Sequence, residues 1–268
     1  MNLQESPVTE DDFREVVRIL AGIATMEGPL DDKRLRLMNE LAALLGTDSW
    51  VWGFSPLLLP GEQPVYLVQA RGGFDEARTS RWLMAVEHPD TGAMTASLAQ
   101  AMMESQAQVT RLRQDIITDE RFLNSPAHPL WHAANVSEMI LSIRPLPGEG
   151  TSVAAFYRPV GAPAFTPREA RIAHIVLTGV PWLHEQSRPH ATATEIPKLP
   201  PRCRLILNQL VTGRARKEIA ADLELSLHTV NDYIKRIFRH FGVHSQTQLV
   251  ARLRNGDGHD RGDPARSN

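Results

Sequence analysis

Residues 216 to 242 read RKEIAADLELSLHTVNDYIKRIFRHFG, and two helical patterns joined by three residues are legible in them. Arg216 to Leu223 brings Ile219, Ala220 and Leu223 to one face, the spacing of a helix buried along a single stripe. Glu224, Leu225 and Ser226 form a short turn. Ser226 is a strong N-cap, because its hydroxyl can accept a hydrogen bond from a backbone N–H of the next turn. The second helix runs from Leu227 to Phe241 and stops at Gly242, which is free to take the left-handed conformation of a helix end. At about 100° per residue, Val230, Ile234, Ile237, Phe238 and Phe241 share the stripe that must face a core. The opposite side carries His228, Thr229, Asp232, Lys235, Arg236 and Arg239, with Asn231 on its flank. A lone charged helix face is usually just solvated. A short helix, a tight turn and a second helix with a cationic outer side is also the arrangement that seats a helix in the major groove of DNA.

Working outward, residues 202 to 211 supply Leu205, Ile206, Leu207 and Leu210 and stop at Gly213, while Ser245 caps a last helix bearing Leu249, Val250 and Leu253. Residues 198 to 254 therefore predict a small all-α bundle of four helices. Its charge sets it apart: eleven Lys and Arg stand against four Asp and Glu, a net of +7, which leaves −9 for the remainder of a chain whose formal charge is −2. Clustered cations attract phosphates and release condensed counterions, so a basic head on an acidic body points to a polyanion partner. Residues 187 to 197 lose apolar periodicity and read as an interdomain linker, and residues 255 to 268 carry no apolar residue larger than alanine and read as a disordered tail.

Residues 1 to 186 mix helices and strands. Helical patterns run from Asp11 to Met26, with Phe13, Val16, Val17, Leu20 and Ile23 at spacings of three and four, and from Asp31 to Leu45, with Lys33, Arg34 and Arg36 outward and a stop at Gly46. Strands are expected at 49–55 and 65–70, mainly helix from Ser80 to Leu112, and two more strands at 138–146 and 152–157 joined by the turn signal Pro147-Gly148-Glu149-Gly150. A long helix to about Glu185 opens on a capping box, with Thr166 at the N-cap, Pro167 next and Glu169 two residues further on. The fold class is thus α+β: an α/β domain followed by the helical head.

Composition excludes several function classes. The 42% hydrophobic and 22% charged content is that of an ordinary globular protein. Cys203 is the single cysteine, so neither an intrachain disulfide nor a cysteine-rich zinc site is expected, and a cytoplasmic setting is. No stretch approaches the roughly 20 apolar residues of a membrane span, so no membrane partner is expected. No Ser, His and Asp set, phosphate-binding loop or Gly-rich dinucleotide loop is present, and the first strands lack the acidic cluster of a phosphoacceptor receiver, so catalysis is not expected. His128 and His132 are four apart, but Pro129 spoils the helical spacing and no third ligand follows. Neither a metal nor any other cofactor is expected.

Leu199-Pro200-Pro201-Arg202, Gly213, Lys217-Glu218-Ile219-Ala220, Leu225-Ser226, Thr229-Val230, Ile237, Phe241-Gly242-Val243 and Thr247-Gln248-Leu249-Val250-Ala251 together resemble the LuxR-type helix-turn-helix. The resemblance covers about a fifth of the chain. It implies that Asn231, Asp232 and Lys235 face DNA bases, that Lys217, Thr229, Arg236 and Arg239 meet phosphates, and that Leu249, Val250 and Leu253 form a dimer contact in the head. Pro200 and Cys203 stand where the family usually has Thr and Glu, which removes a capping oxygen and a carboxylate from the opening turn. In the first domain, Arg144-Pro145-Leu146-Pro147, Phe156-Tyr157-Arg158-Pro159 and Phe165-Thr166-Pro167-Arg168-Glu169 resemble the end of GAF- or PAS-like input domains. The Trp, Tyr and Asp-Pro constellation of acylhomoserine-lactone receptors is missing from both domains, so such a lactone is not the first expectation.

Trp50, Trp52, Phe54, Trp82, Trp131 and Tyr157 are candidates for lining a small-molecule pocket, with core packing as the competing reading. The expectation is a dimeric, sequence-specific DNA-binding regulator that takes double-stranded DNA as partner and is controlled by an unidentified ligand or partner at its first domain. The rival is a non-sensing dimerisation domain fused to a head that docks on RNA polymerase or another protein.

Overall fold

The structure, a computed structural model, describes residues 7–56, 66–146, 150–185, 199–211 and 213–255. The expected linker, the turn residues 147–149 and residues 256–268 of the expected tail lie outside them. In the first domain the order is α1 (Glu10–Thr25), α2 (Leu30–Leu45), β1 (Ser49–Pro56), β2 (Leu67–Gly72), α3 (Glu76–Val86), α4 (Pro89–Ser105), β3 (Val109–Leu112), α5 (Arg113–Ile116), α6 (Asp119–Leu123), α7 (His128–Ala133), β4 (Glu138–Leu146), β5 (Gly150–Arg158), α8 (Pro167–Thr178) and α9 (Pro181–Glu185). The strands form one antiparallel sheet in the order β2-β1-β5-β4-β3.

Alternation along the strands splits the interior into two cores. Trp50, Trp52, Ile140, Ala154 and Phe156 point to the side covered by α1, α2 and α8, whereas Val51, Leu141, Val153, Ala155 and Tyr157 point to the side covered by α3 to α7. A three-layer sandwich results. At a bulge between Trp52 and Gly53 the register of β1 and β2 slips. A Cβ on Gly53 would stand 2.6 Å from the Leu67 carbonyl oxygen, so the close approach of β2 requires glycine there.

Four details depart from the sequence expectations. Helix α1 buries Val16, Ile19 and Ile23 and leaves Phe13 and Val17 exposed: its apolar arc is wide, and α2 and α8 take only one flank of it. Arg34 is buried, paired with Asp31 at 2.7 Å and lying 5.4 Å over the Trp52 ring. The expected helix of residues 80–112 is two helices and a strand. Pro89 opens α4, Gln106 closes it in the left-handed conformation, and Val109–Leu112 pairs with β4. The long helix after Thr166 ends at Gly179 and restarts as α9 at Pro181, whose ring nitrogen has no hydrogen to continue the ladder.

The head contains α10 (Pro201–Val211), α11 (Arg216–Asp222), α12 (Leu227–Phe241) and α13 (Gln246–Asn255). Cys203, Ile206, Leu210, Ile219, Ile234 and Phe241 are among its buried residues. This core continues into Phe54, Leu67 and Leu146 at one end of the sheet, so the head is docked on the first domain.

Candidate functional site

Helix α12 is held by Val230, Ile234, Ile237 and Phe241, all buried. Ser226 caps it, accepting from the Thr229 N–H at 3.0 Å, with the two hydroxyls 2.8 Å apart. The opposite face is open to solvent: His228, Asp232, Lys235, Arg236 and Arg239 are exposed, and Lys217 is exposed on α11. Asp232 lies 3.3 Å from the Lys235 ammonium and 3.5 Å from the His228 ring. Asn231 accepts from Arg216 at 3.0 Å, a tie between α11 and α12 that sequence spacing does not reveal. Arg216 is thus an additional cation on this surface. The residues expected to meet bases and phosphates therefore gather on one surface, which the first domain leaves uncovered. Leu249 and Leu253 are placed differently. Both are buried in the head's own core, with Val250 half-buried beside them.

Between the sheet and α3 to α7 lies a cavity of about 60 Å³ with an almost wholly apolar wall. Val51, Leu141 and Val153 floor it, Trp82 and Val86 of α3 and Met94 of α4 close it, and Trp131, Phe122 and Tyr157 complete an aromatic end. The Trp82 and Trp131 rings each lie 6.3 Å from Tyr157. Thr91 is satisfied: it donates to the Ala85 carbonyl at 2.7 Å and accepts from the Trp131 indole at 3.3 Å. Burial pushes the Tyr66 hydroxyl up to about 12 and raises that of Tyr157 as well, so both stay neutral at physiological pH.

Of the six aromatics singled out in the sequence, Trp82, Trp131 and Tyr157 line this cavity. Trp52 borders it from the sheet, but its ring stacks 4.4 Å from His184 in the other core. Trp50 donates to Asn39 at 3.0 Å in that same core, and Phe54 packs under the head. Arg113 is a wall residue that sequence reasoning missed, since only the fold brings it to the cavity.

The joint between the domains is polar as well as apolar. On α10, Arg204, Asn208 and Gln209 are buried. Asn208 donates to Glu87 at 3.1 Å and Gln209 to Ser80 at 3.1 Å, while Ser80 donates to Asp222 at 2.8 Å and Arg214 pairs with Asp222. Burial pushes the Glu87 carboxyl up to about 7, against the opposing pull of Arg204 and Asn208.

Fold and sites together define a sheet domain with an apolar cavity, carrying a helix-turn-helix head. Residues 197–253 match the model of the family described as bacterial regulatory proteins, luxR family. None of the curated proteins searched matches the chain. Among solved structures the chain has remote likenesses. SdiA in complex with octanoyl-rac-glycerol is 16% identical, with 92% of this chain and 96% of that one covered and a TM-score of 0.41. Escherichia coli SdiA in space group P6522 is 16% identical over 90% and 95% at 0.39, and the VqsR LBD domain from Pseudomonas aeruginosa is 15% identical over 66% and 93% at 0.40. Among the described residues no helix is long and apolar enough to cross a membrane.

Proposed function

We propose that the chain is a ligand-responsive, sequence-specific transcription regulator that binds double-stranded DNA in the cytoplasm as a homodimer. The observation that carries this reading is the outer face of α12, polar, cationic and exposed while its inner face is locked into the head. Inserted in a major groove, Asn231, Asp232 and Lys235 meet base edges, and Lys217, Thr229, Arg236 and Arg239 meet phosphates. The first domain acts as a sensor of GAF- or PAS-like kind, with the apolar cavity as its ligand site. Helix α3 supports control of the head by that ligand: Trp82 and Val86 wall the cavity, and Ser80 and Glu87 of the same segment hold the head. Leu67 of β2 likewise borders the cavity and packs under the head.

The test is a salt titration of the full chain binding a duplex selected from random DNA. The four cations Lys217, Lys235, Arg236 and Arg239 of each head give a log–log slope of about −3 to −4 per monomer. Arg239→Ala is expected to flatten that slope by about one. Affinity independent of salt overturns the reading.

A further inference from the structure

On the side of α3 turned away from the apolar cavity, a cleft of about 450 Å³ opens between the two domains. Trp82 and Val86 face the cavity, whereas Ser80, Arg81 and Met84 of the same helix wall the cleft. The head supplies the other wall, with Arg202 of α10 and with Asp222, Leu223 and Glu224 at the end of α11. A hollow of this volume has room for a small molecule.

Two cations of the cleft differ from the others at the joint. The buried ones are balanced: Arg214 pairs with Asp222, and Arg204 faces Glu87. Arg81 and Arg202 are exposed, and among the described residues no carboxylate stands within ion-pair reach of either. Arg81 donates to the Ala133 carbonyl at 3.4 Å, which leaves most of its fork open. One guanidinium therefore comes from each domain, on opposite walls, and both stay charged at any physiological pH.

The remaining polar groups of the wall accept hydrogen bonds. Both contacts of Asp222, from Ser80 at 2.8 Å and from Arg214, fall on Oδ2, which leaves Oδ1 as an acceptor. The carboxylate of Glu224, exposed beyond α11, has no partner among the described residues. With Asp222 neutralised by Arg214, Arg81 and Arg202 outnumber Glu224, so the cleft favours an anion. A carboxylate brings one charge and two oxygens. A phosphomonoester brings nearly two charges and three oxygens, enough to engage both guanidinium forks at once. Hydroxyls on the same molecule would donate to Asp222 and Glu224, and the C–H face of a ring would rest on Met84 and Leu223.

We infer that the cleft binds a hydroxylated phosphomonoester, a sugar phosphate or a mononucleotide, its phosphate clamped between Arg81 and Arg202 and its hydroxyls received by Asp222 and Glu224. A phosphate held in this way ties the head to the first domain. The test is calorimetric titration of the full chain with glucose 6-phosphate, AMP, glucose and inorganic phosphate. At least one of the two esters is expected to bind about tenfold tighter than both glucose and inorganic phosphate, and the tighter ester names the source. Arg81→Gln and Arg202→Gln, both at exposed positions, are each expected to weaken that ester about tenfold, the loss of one charge-assisted contact. The bound ester is expected to slow hydrogen exchange of the α10 amides in the parent protein and not in Arg81→Gln. Neither ester exceeding inorganic phosphate, or both variants binding the ester unchanged, overturns the inference. Loss of ester binding in Arg239→Ala with Arg81→Gln unaffected would put the phosphate on α12 and overturn it equally.

Discussion

Asp232 sits on the exposed face of α12 between Lys235 and His228 of its own helix. Exposed pairs of this kind are worth little, so exchanging them for contacts in a groove costs little. A carboxylate among phosphates is tolerated when it accepts from a cytosine amino group. Asp232→Ala is therefore expected to bind non-specific DNA slightly better and to lose roughly 1 to 3 kcal/mol of discrimination at one operator position; site selection from random DNA measures it, and an unchanged preference everywhere removes Asp232 from base reading. Leu249 has the opposite character. It is wholly buried in the head, so Leu249→Asp places an unpaired charge in the core and is expected to cost about 4 kcal/mol. Circular dichroism should show the head's helices melting; loss of dimers in sedimentation with the helices intact would return Leu249 to an interface. The family resemblance located the last helix, but only packing shows which way Leu249 and Leu253 point.

At the scale of elements, α3 with the residue that follows it, Glu87, joins the cavity to the head. Glu87 has an ordinary value of 4.5, and burial in the joint lifts it to about 7. The docked state thus favours the protonated carboxyl. The contribution of Glu87 to that state is fully present below about 4.5, falls as pH rises through the interval to about 7, and is lost above it. Hydrogen exchange of α10 amides across that range is expected to speed up with pH beyond the intrinsic chemical rate, and Glu87→Gln to remove the excess. No excess in the parent protein would place the shift elsewhere. The elements best anticipated were those with strong local punctuation. Ser226 and Gly242 bound α12, and Thr166, Pro167 and Glu169 open α8. The elements misjudged were those whose identity depends on a distant partner. Val109–Leu112 continues a helical composition, yet it is a strand because β4 offers it an edge and Ser142 offers Thr110 a hydrogen bond at 2.8 Å.

For the whole molecule, the head and the sheet domain share one apolar seam, with Phe54, Leu67 and Leu146 on one side and the head's helices on the other. Each buried side chain there is worth about 2 kcal/mol. Leu146→Ser is expected to lower the melting temperature of the full chain and to speed proteolysis between the domains, and a melting curve unchanged from the parent would show the seam to be idle. The amino-acid sequence by itself determined the head, its long helix α12, the charge division along the chain and the α+β class, because helix periodicity, caps and glycine stops act within a few residues of each other. The cavity and the joint were decided by tertiary structure alone. Arg113 meets Glu138 and Ser80 meets Asp222 across long stretches of chain. Trp50 and Trp82 are separated by the sheet because strand alternation turns Trp50 toward the side of α1, α2 and α8, while α3, which carries Trp82, covers the other face. Local periodicity says that a side chain must be buried, and the non-local pairing of strands says against what.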